Sequence, residues 1–133
     1  MALSKSLFKS QSVDWPTPAK LYQELDAEFH FDFDPCPLHS QEDGLAPLFC
    51  SWHGKRVFCN PPYGPKIRKF LERAKEAELA VFLIPARTDT RWFHEIVLPY
   101  ASEIRFLKGR LRFGDATNAA PFPSMVVIFR QAG

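Results

Sequence analysis

The sequence predicts a small α/β protein, a three-layer sandwich whose mostly parallel sheet ends in an antiparallel C-terminal strand. Three observations carry this expectation. Strand-like and helix-like segments alternate from Arg56 onward, the order that builds βαβ units. The run "AVFLIPA", residues 80–86, is continuously apolar, as a strand buried on both faces must be. The last two strand-like runs are joined through Gly109 to Pro123, a stretch without a clear helical pattern, so those strands are expected to pair antiparallel. In sheets of this kind the functional loops gather at the strand carboxyl ends.

Each element follows from local chemistry. In "DWPTPAKLYQELDAEF" Thr17 precedes Pro18, which reads as an N-cap followed by proline at the first helical position. Leu21, Leu25 and Phe29 then recur at helical spacing, with Tyr22 beside the stripe. "FHFDFDPCP" switches to period two, with Phe29, Phe31 and Phe33 alternating with His30, Asp32 and Asp34; this predicts a strand ended by Asp34-Pro35. From Leu38 to Lys55 the pattern is irregular, with turn signals at Asp43-Gly44 and Pro47. "RVFCN" is the next strand, stopped by two prolines that have no backbone N–H to give a ladder. "KIRKFLERAKEAEL" predicts a helix, with Ile67, Phe70, Leu71, Ala74 and Ala77 on one face. "RTDTRWFHEIVLPY" predicts a loop and helix, and "EIRFLKG" and "SMVVIFR" two strands.

The 133 residues suit one domain with a real core. Residues 1–13 read as a flexible, polar arm and residues 14–133 as a single domain with no separate recognition module. Apolar residues at 46% and charged residues at 24% match an ordinary soluble globular chain. No apolar stretch is long enough to span a membrane or to act as a secretory leader. Cys36, Cys50 and Cys59 form an odd set without a leader, which points to reduced thiols in a cytoplasm. A net charge of +2 is compatible with nucleic acid but too small to argue for it alone.

Three strand-end loops carry polar residues: Asp34-Pro35-Cys36, Asn60-Pro61-Pro62-Tyr63 and Pro85-Ala86-Arg87-Thr88-Asp89. In the second, the Asn60 side-chain carbonyl and the Pro61 backbone carbonyl are two neutral acceptors, the latter with its direction set by the flanking rings. Two acceptors side by side suit a planar amino group with two protons to give. Tyr63 adds a flat ring on which an aromatic amine can stack. Such a site favours the charge that develops on nitrogen as it attacks an electrophile, and it requires no metal. The plainer reading is a proline-stopped strand with a packed tyrosine.

With these residues in view, the chain resembles S-adenosylmethionine-dependent amino methyltransferases, and most closely the short phage- and prophage-type DNA N6-adenine methyltransferases of the Dam-like group. "DWPTPAKLYQELDAEFHFDFDPCP", "RVFCNPPYG", "LIPARTDTRWFH", "IRFLKGRLRF" and "APFPSMVVIF" follow that family's order from Asp14 to Phe129. The resemblance implies a minimal Rossmann-like methyltransferase fold with S-adenosyl-L-methionine as cofactor and double-stranded DNA as substrate. It implies that Asn60 and Pro61 hold the adenine amino group, with Pro62 stiffening the loop and Tyr63 stacking on the base. It assigns Asp34, with Pro35 and Cys36, to the methionine end of the cofactor. Trp15, Thr17 and Pro18 would cover the cofactor, Arg87 and Thr88 would line its pocket, and Asp43 would reach its ribose or adenine. Larger relatives carry a glycine-rich loop after the first strand, whereas this chain has no glycine between Asp34 and Gly44.

DNA as substrate requires that the base be flipped out of the helix. Lys108, Arg110 and Arg112 alternate in "LKGRLRF" and would share one face if extended, which makes them the expected phosphate contacts. Lys66, Arg68, Lys69 and Arg73 are a second basic set, better read as a solvated helix face. Recognition would come from the loops at 38–55 or 112–123 or from a dimer partner, or it would be relaxed. Other readings stand beside this one. The same tetrapeptide serves methylation of RNA exocyclic amines and protein glutamine amides, and a non-catalytic DNA-binding module can keep the fold. Cys36, His39, Cys50 and His53 form two C-x2-H pairs that match a zinc site, against which Cys50 reads as a core residue and the histidines as exposed.

Overall fold

The computed structural model describes residues 16–35, 51–112 and 120–131. Its centre is a four-stranded mixed sheet in the order β1-β2-β4-β3. The strands are β1 (Arg56–Cys59), β2 (Leu79–Pro85), β3 (Glu103–Phe106) and β4 (Ser124–Arg130). β1 runs parallel to β2, while β4 pairs antiparallel with both β2 and β3. β1, β2 and β3 therefore run in one direction and only β4, the C-terminal strand, runs against them, as expected. Because β4 lies between β2 and β3, antiparallel pairings are nonetheless the more numerous among the described residues. A fully apolar strand reports burial on both faces and says nothing about the direction of its neighbours. The antiparallel pairing of the last two strands is as expected.

All seven residues of β2 are buried, and its Leu79, Val81, Phe82, Leu83 and Ile84 side chains contribute on the order of 10 kcal/mol of transfer free energy. Register partners share a face, which sorts the sheet into two sides. Phe58, Val81, Ile128 and Arg130 point to one side, where α1 (Ala19–Phe29) lies. Tyr22 of α1 meets the Phe58 ring edge-on at 5.1 Å, and the Arg105 and Arg130 guanidinium groups sit 5.4 Å from the Phe29 ring. On the other side Phe82 packs against Trp52 and Phe129. There Arg73 covers Trp52, just after α2 (Ile67–Glu72). Helices therefore pack on both faces of the sheet.

Pro18, not Thr17, is the residue that caps α1, and no side chain caps it. The last helical bond is His30 N–H to Asp26 O at 2.7 Å, and the helix ends there because the Asp26 carboxylate takes the next donor, Phe31 N–H, at 2.9 Å. His30 takes the left-handed conformation this requires. Phe29 thus belongs to the helix, and the strand expected over 29–34 shrinks to a single parallel bridge between Phe33 and Val57. Pro35, lacking an N–H, stops it.

The helix expected over 66–79 is also shorter. After α2 the chain tightens into a 3₁₀ turn, Arg73–Glu76. Arg73 grips Glu76 through two bonds of 2.7 and 2.9 Å, a pairing that the eclipsed i, i+3 geometry of that turn favours. After β2 a helical segment over 91–100 contains a π-turn, Phe93–Val97, and closes with α3 (Leu98–Tyr100). Among the described residues no helix is long and apolar enough to cross a membrane.

Candidate active site

The parallel register puts the carboxyl end of β1 at Cys59, opposite Phe82, and β2 runs on for three more residues to Pro85. Ala86 N–H bonds to Pro123 O and Leu107 N–H to Ser124 O, so the chain leaving β2, leaving β3 and entering β4 meets at this same end. Asn60-Pro61-Pro62-Tyr63, the Arg87-Thr88 loop and the Lys108 turn therefore share one end of the sheet. Asp34 joins them, one residue beyond the bridge to β1, with Phe58 N–H bonded to Phe33 O at 3.0 Å.

Asn60 is half-buried, and its side-chain nitrogen donates to the Thr17 hydroxyl oxygen at 3.0 Å. That commits the amide nitrogen and turns the carbonyl, the acceptor end, away from Thr17. Pro61 is buried and Pro62 half-buried. Gly64 has φ 120°, and a Cβ there would meet nothing within 4 Å. Its role is conformational, since only glycine adopts this backbone readily, and not to admit a close neighbour.

Tyr63 departs from the open stacking plate that the sequence suggests. Its side chain is only 6% exposed, and its ring lies 5.4 Å from Phe122 at 67°. Its hydroxyl donates to Leu83 O at 3.4 Å. Burial foremost, with the neighbouring Cys59, raises the phenol pKa far above the ordinary tyrosine value. The ring is an internal brace between the tetrapeptide and β2.

Asp34 and Pro35 are half-buried and buried. The Tyr22 phenol is raised, first by burial and then by the charges of Asp26 and Asp34. Thr17 and Pro18 lead into α1 one turn before Tyr22, whose N–H bonds to Pro18 O. Trp15, Cys36 and Asp43 lie outside the described residues, as do His39 and Cys50 of the zinc pattern; His53 is exposed.

Arg87 and Thr88 are exposed on a loop that the following helix holds in place. Thr90 donates to Arg87 O at 2.8 Å and accepts from Phe93 N–H at 3.3 Å, and the His94 ring bonds to Thr88 O at 2.7 Å. Lys108, Arg110 and Arg112 are exposed, but β3 ends at Phe106 and Gly109 turns the chain with φ 74°. Lys108 therefore sits at a bend with Gly109, while Arg110 and Arg112 follow it outside any strand, so the three do not continue β3 as one extended face. In the second basic set, Arg68 pairs with Glu72 and Glu95, and Arg73 with Glu76. Hydrogen bonding to Arg68 holds the Glu95 carboxyl below its usual range. Those pairs, with Lys66 and Lys69 exposed, favour the solvated-face reading for Lys66, Arg68 and Lys69, whereas Arg73 lies over Trp52 off that face.

Sequence reasoning missed two contributors. Phe122 carries no signal beyond its apolar character, because its partner Tyr63 is remote in the chain. His94 could have been found by its place one helical turn after the loop.

A family model described as DNA N-6-adenine-methyltransferase (Dam) matches residues 4–132, nearly the whole chain. No curated protein and no solved structure matches it.

Proposed function

The chain belongs to the DNA N-6-adenine-methyltransferase (Dam) family, and on that premise we propose that it transfers a methyl group from S-adenosylmethionine to the N6 amino group of adenine in double-stranded DNA. The observation that carries the proposal is the placement of Asn60 and Asp34. The amine-holding loop leaves the carboxyl end of β1, and the acidic residue follows a bridge to that same strand. An amine acceptor and an anionic cofactor contact thus share one rim. We read the sheet and its helices as a minimal Rossmann-like methyltransferase sandwich, with residues 14–133 as one catalytic domain.

The residues present suit S-adenosylmethionine by the chemistry of the donor set. Asp34, a half-buried carboxylate, offers negative charge to the cationic methionine end. Pro35 supplies an apolar wall beside it, and Thr17-Pro18 closes the side toward α1; Trp15, Cys36 and Asp43 complete the proposed set. Arg87 and Thr88 border the pocket from the loop after β2. When bound, S-adenosylmethionine supplies a methyl group on a positively charged sulfur, open to attack by an amine.

The chain's own residues do the orienting. The Asn60 side-chain carbonyl and the Pro61 backbone carbonyl accept the two amino protons of the flipped base. As positive charge builds on nitrogen these protons become better donors, so both hydrogen bonds strengthen toward the transition state. Pro62 stiffens the loop that holds the two acceptors together. Tyr63, packed on Phe122, acts first as the brace of this loop; stacking of the base on its ring requires the buried ring to be uncovered. Flipping costs a few kcal/mol of pairing and stacking, about as much as base contacts in a closed pocket return. Lys108, Arg110 and Arg112 reach the phosphates from their turn. Sequence recognition falls to the loops around residues 38–55 and 112–123 or to a homodimer partner, and the enzyme works in the cytoplasm of a bacterial or phage-infected cell.

Incubation with methyl-labelled S-adenosylmethionine and unmethylated DNA, RNA or protein extract, followed by digestion, tests the proposal. Label in N6-methyladenine from DNA is the expected result. Label confined to RNA or to protein glutamine would replace it with one of the other amine substrates.

A further inference from the structure

Thr17 stands where a helix cap is expected, yet its hydroxyl caps nothing, because α1 has no side-chain cap. Its oxygen instead accepts the Asn60 amide N–H at 3.0 Å, a part-buried bond between residues 43 positions apart. Both sides of the oxygen's position are restrained. Thr17 is β-branched, which stiffens its side chain, and it precedes a proline, which confines its backbone.

The asparagine amide has the opposite character. Rotation of its plane is soft and roughly two-fold, so an unheld Asn60 presents either its carbonyl or its NH2 to a substrate. Only the carbonyl accepts a proton from an amine; the NH2 end sets donor against donor. Donation to Thr17 selects the useful orientation.

We propose that Thr17 is a positioning residue, whose hydroxyl oxygen holds the Asn60 amide nitrogen and thereby aims the Asn60 carbonyl at the substrate amine. The inference rests on the reading of Asn60 as an amine acceptor given above. It makes the Thr-Pro element more than a cover for the cofactor. The segment that enters α1 thereby also sets the polarity of the amine site.

The test compares Thr17→Val, which keeps the shape and removes the acceptor, with Thr17→Ser, which keeps the oxygen. Steady-state kinetics on DNA give kcat and KM, calorimetry gives the Kd for S-adenosylmethionine, and melting temperature confirms that both variants fold. Asparagine-selective ¹⁵N labelling reports the Asn60 side-chain NH2, with Asn118 as the chain's other asparagine. Thr17→Val is expected to lower kcat about 10- to 100-fold, as loss of alignment at a reacting group does. The cofactor Kd should move by less than about threefold, the effect of at most one weak contact. The Asn60 NH2 protons should exchange faster, and Thr17→Ser should restore both kcat and protection. Full kcat in Thr17→Val, a loss confined to cofactor Kd, or unchanged NH2 protection would each overturn the assignment. If the unaltered protein methylates no adenine, the functional reading fails on its own. The NH2 protection then decides the Thr17 contact separately: its loss in Thr17→Val upholds the tie, and its persistence removes it.

Discussion

Tyr63 separates bracing from stacking, and substitutions there have calculable consequences. The ring is 6% exposed and packed on Phe122, so Tyr63→Ala opens a cavity of nearly a full aromatic side chain. Truncation of a buried ring costs about 3–5 kcal/mol. At about 2.1 cal/mol/K of unfolding entropy per residue, 1 kcal/mol lowers Tm by about 3–4 °C in a chain of this length, so the loss is about 10–18 °C. Tyr63→Phe keeps the ring and removes the hydroxyl with its 3.4 Å bond to Leu83 O, a long contact to a carbonyl in the β2–β4 ladder region. Its cost is at the low end for a hydrogen bond, about 0.5–1 kcal/mol, or about 2–4 °C. The phenol gives a second signature. Its pKa is raised in the folded state, so the stability tied to its proton is fully present below the unfolded value of about 10. That stability is lost as pH rises through the folded value, because the unfolded chain ionises first. Melting curves from pH 8 to 11 should therefore show a steeper alkaline decline in the unaltered protein than in Tyr63→Phe. Parallel alkaline slopes, or a Tyr63→Ala loss under about 1 kcal/mol, would refute the claim that the ring is a buried brace.

Two further outcomes follow from the site. Asp34→Ala should raise the Kd for S-adenosylmethionine in calorimetry well before it alters DNA binding, since its charge faces the proposed cofactor side; equal loss of both would place it elsewhere. Lys108→Ala and Arg110→Ala should each reduce the slope of log K against log salt by about 0.9 in a DNA-binding titration, the signature of one lost phosphate contact. An unchanged slope would remove the Lys108 turn from the DNA surface.

Much of the fold was legible because its strands are short apolar runs punctuated by proline. "RVFCN" and "AVFLIPA" lie within a residue of β1 and β2, and the stripe of Leu21, Leu25 and Phe29 marks the inner face of α1. What escaped depends on partners remote in sequence. Nothing local shows that β4 will enter the sheet between β2 and β3. The alternation of phenylalanines through 29–33 mimics a strand, and only the capture of Phe31 N–H by the Asp26 carboxylate shows that Phe29 closes a helix. At the site, the tetrapeptide itself was legible, since two prolines after a buried strand demand an explanation. The Thr17–Asn60 bond was not, because a threonine before proline reads locally as a cap. Nor was the burial of Tyr63, which depends on Phe122. The basic residues of "LKGRLRF" misled for a simpler reason: Gly109 adopts a left-handed turn where the alternation assumed an extended chain.

The central claim is that Asn60, at the carboxyl end of β1, holds the amino group of a DNA adenine while it is methylated. Mapping of N6-methyladenine across the DNA of cells without adenine methylation of their own, expressing either the unaltered protein or Asn60→Ala, tests it most directly. N6-methyladenine is expected with the unaltered protein. With Asn60→Ala it should fall at least about 100-fold, the loss expected when one preorganised hydrogen-bonding group is removed. The variant should still fold and bind S-adenosylmethionine. Unmodified adenine in both cultures, or undiminished methylation by Asn60→Ala, would contradict it.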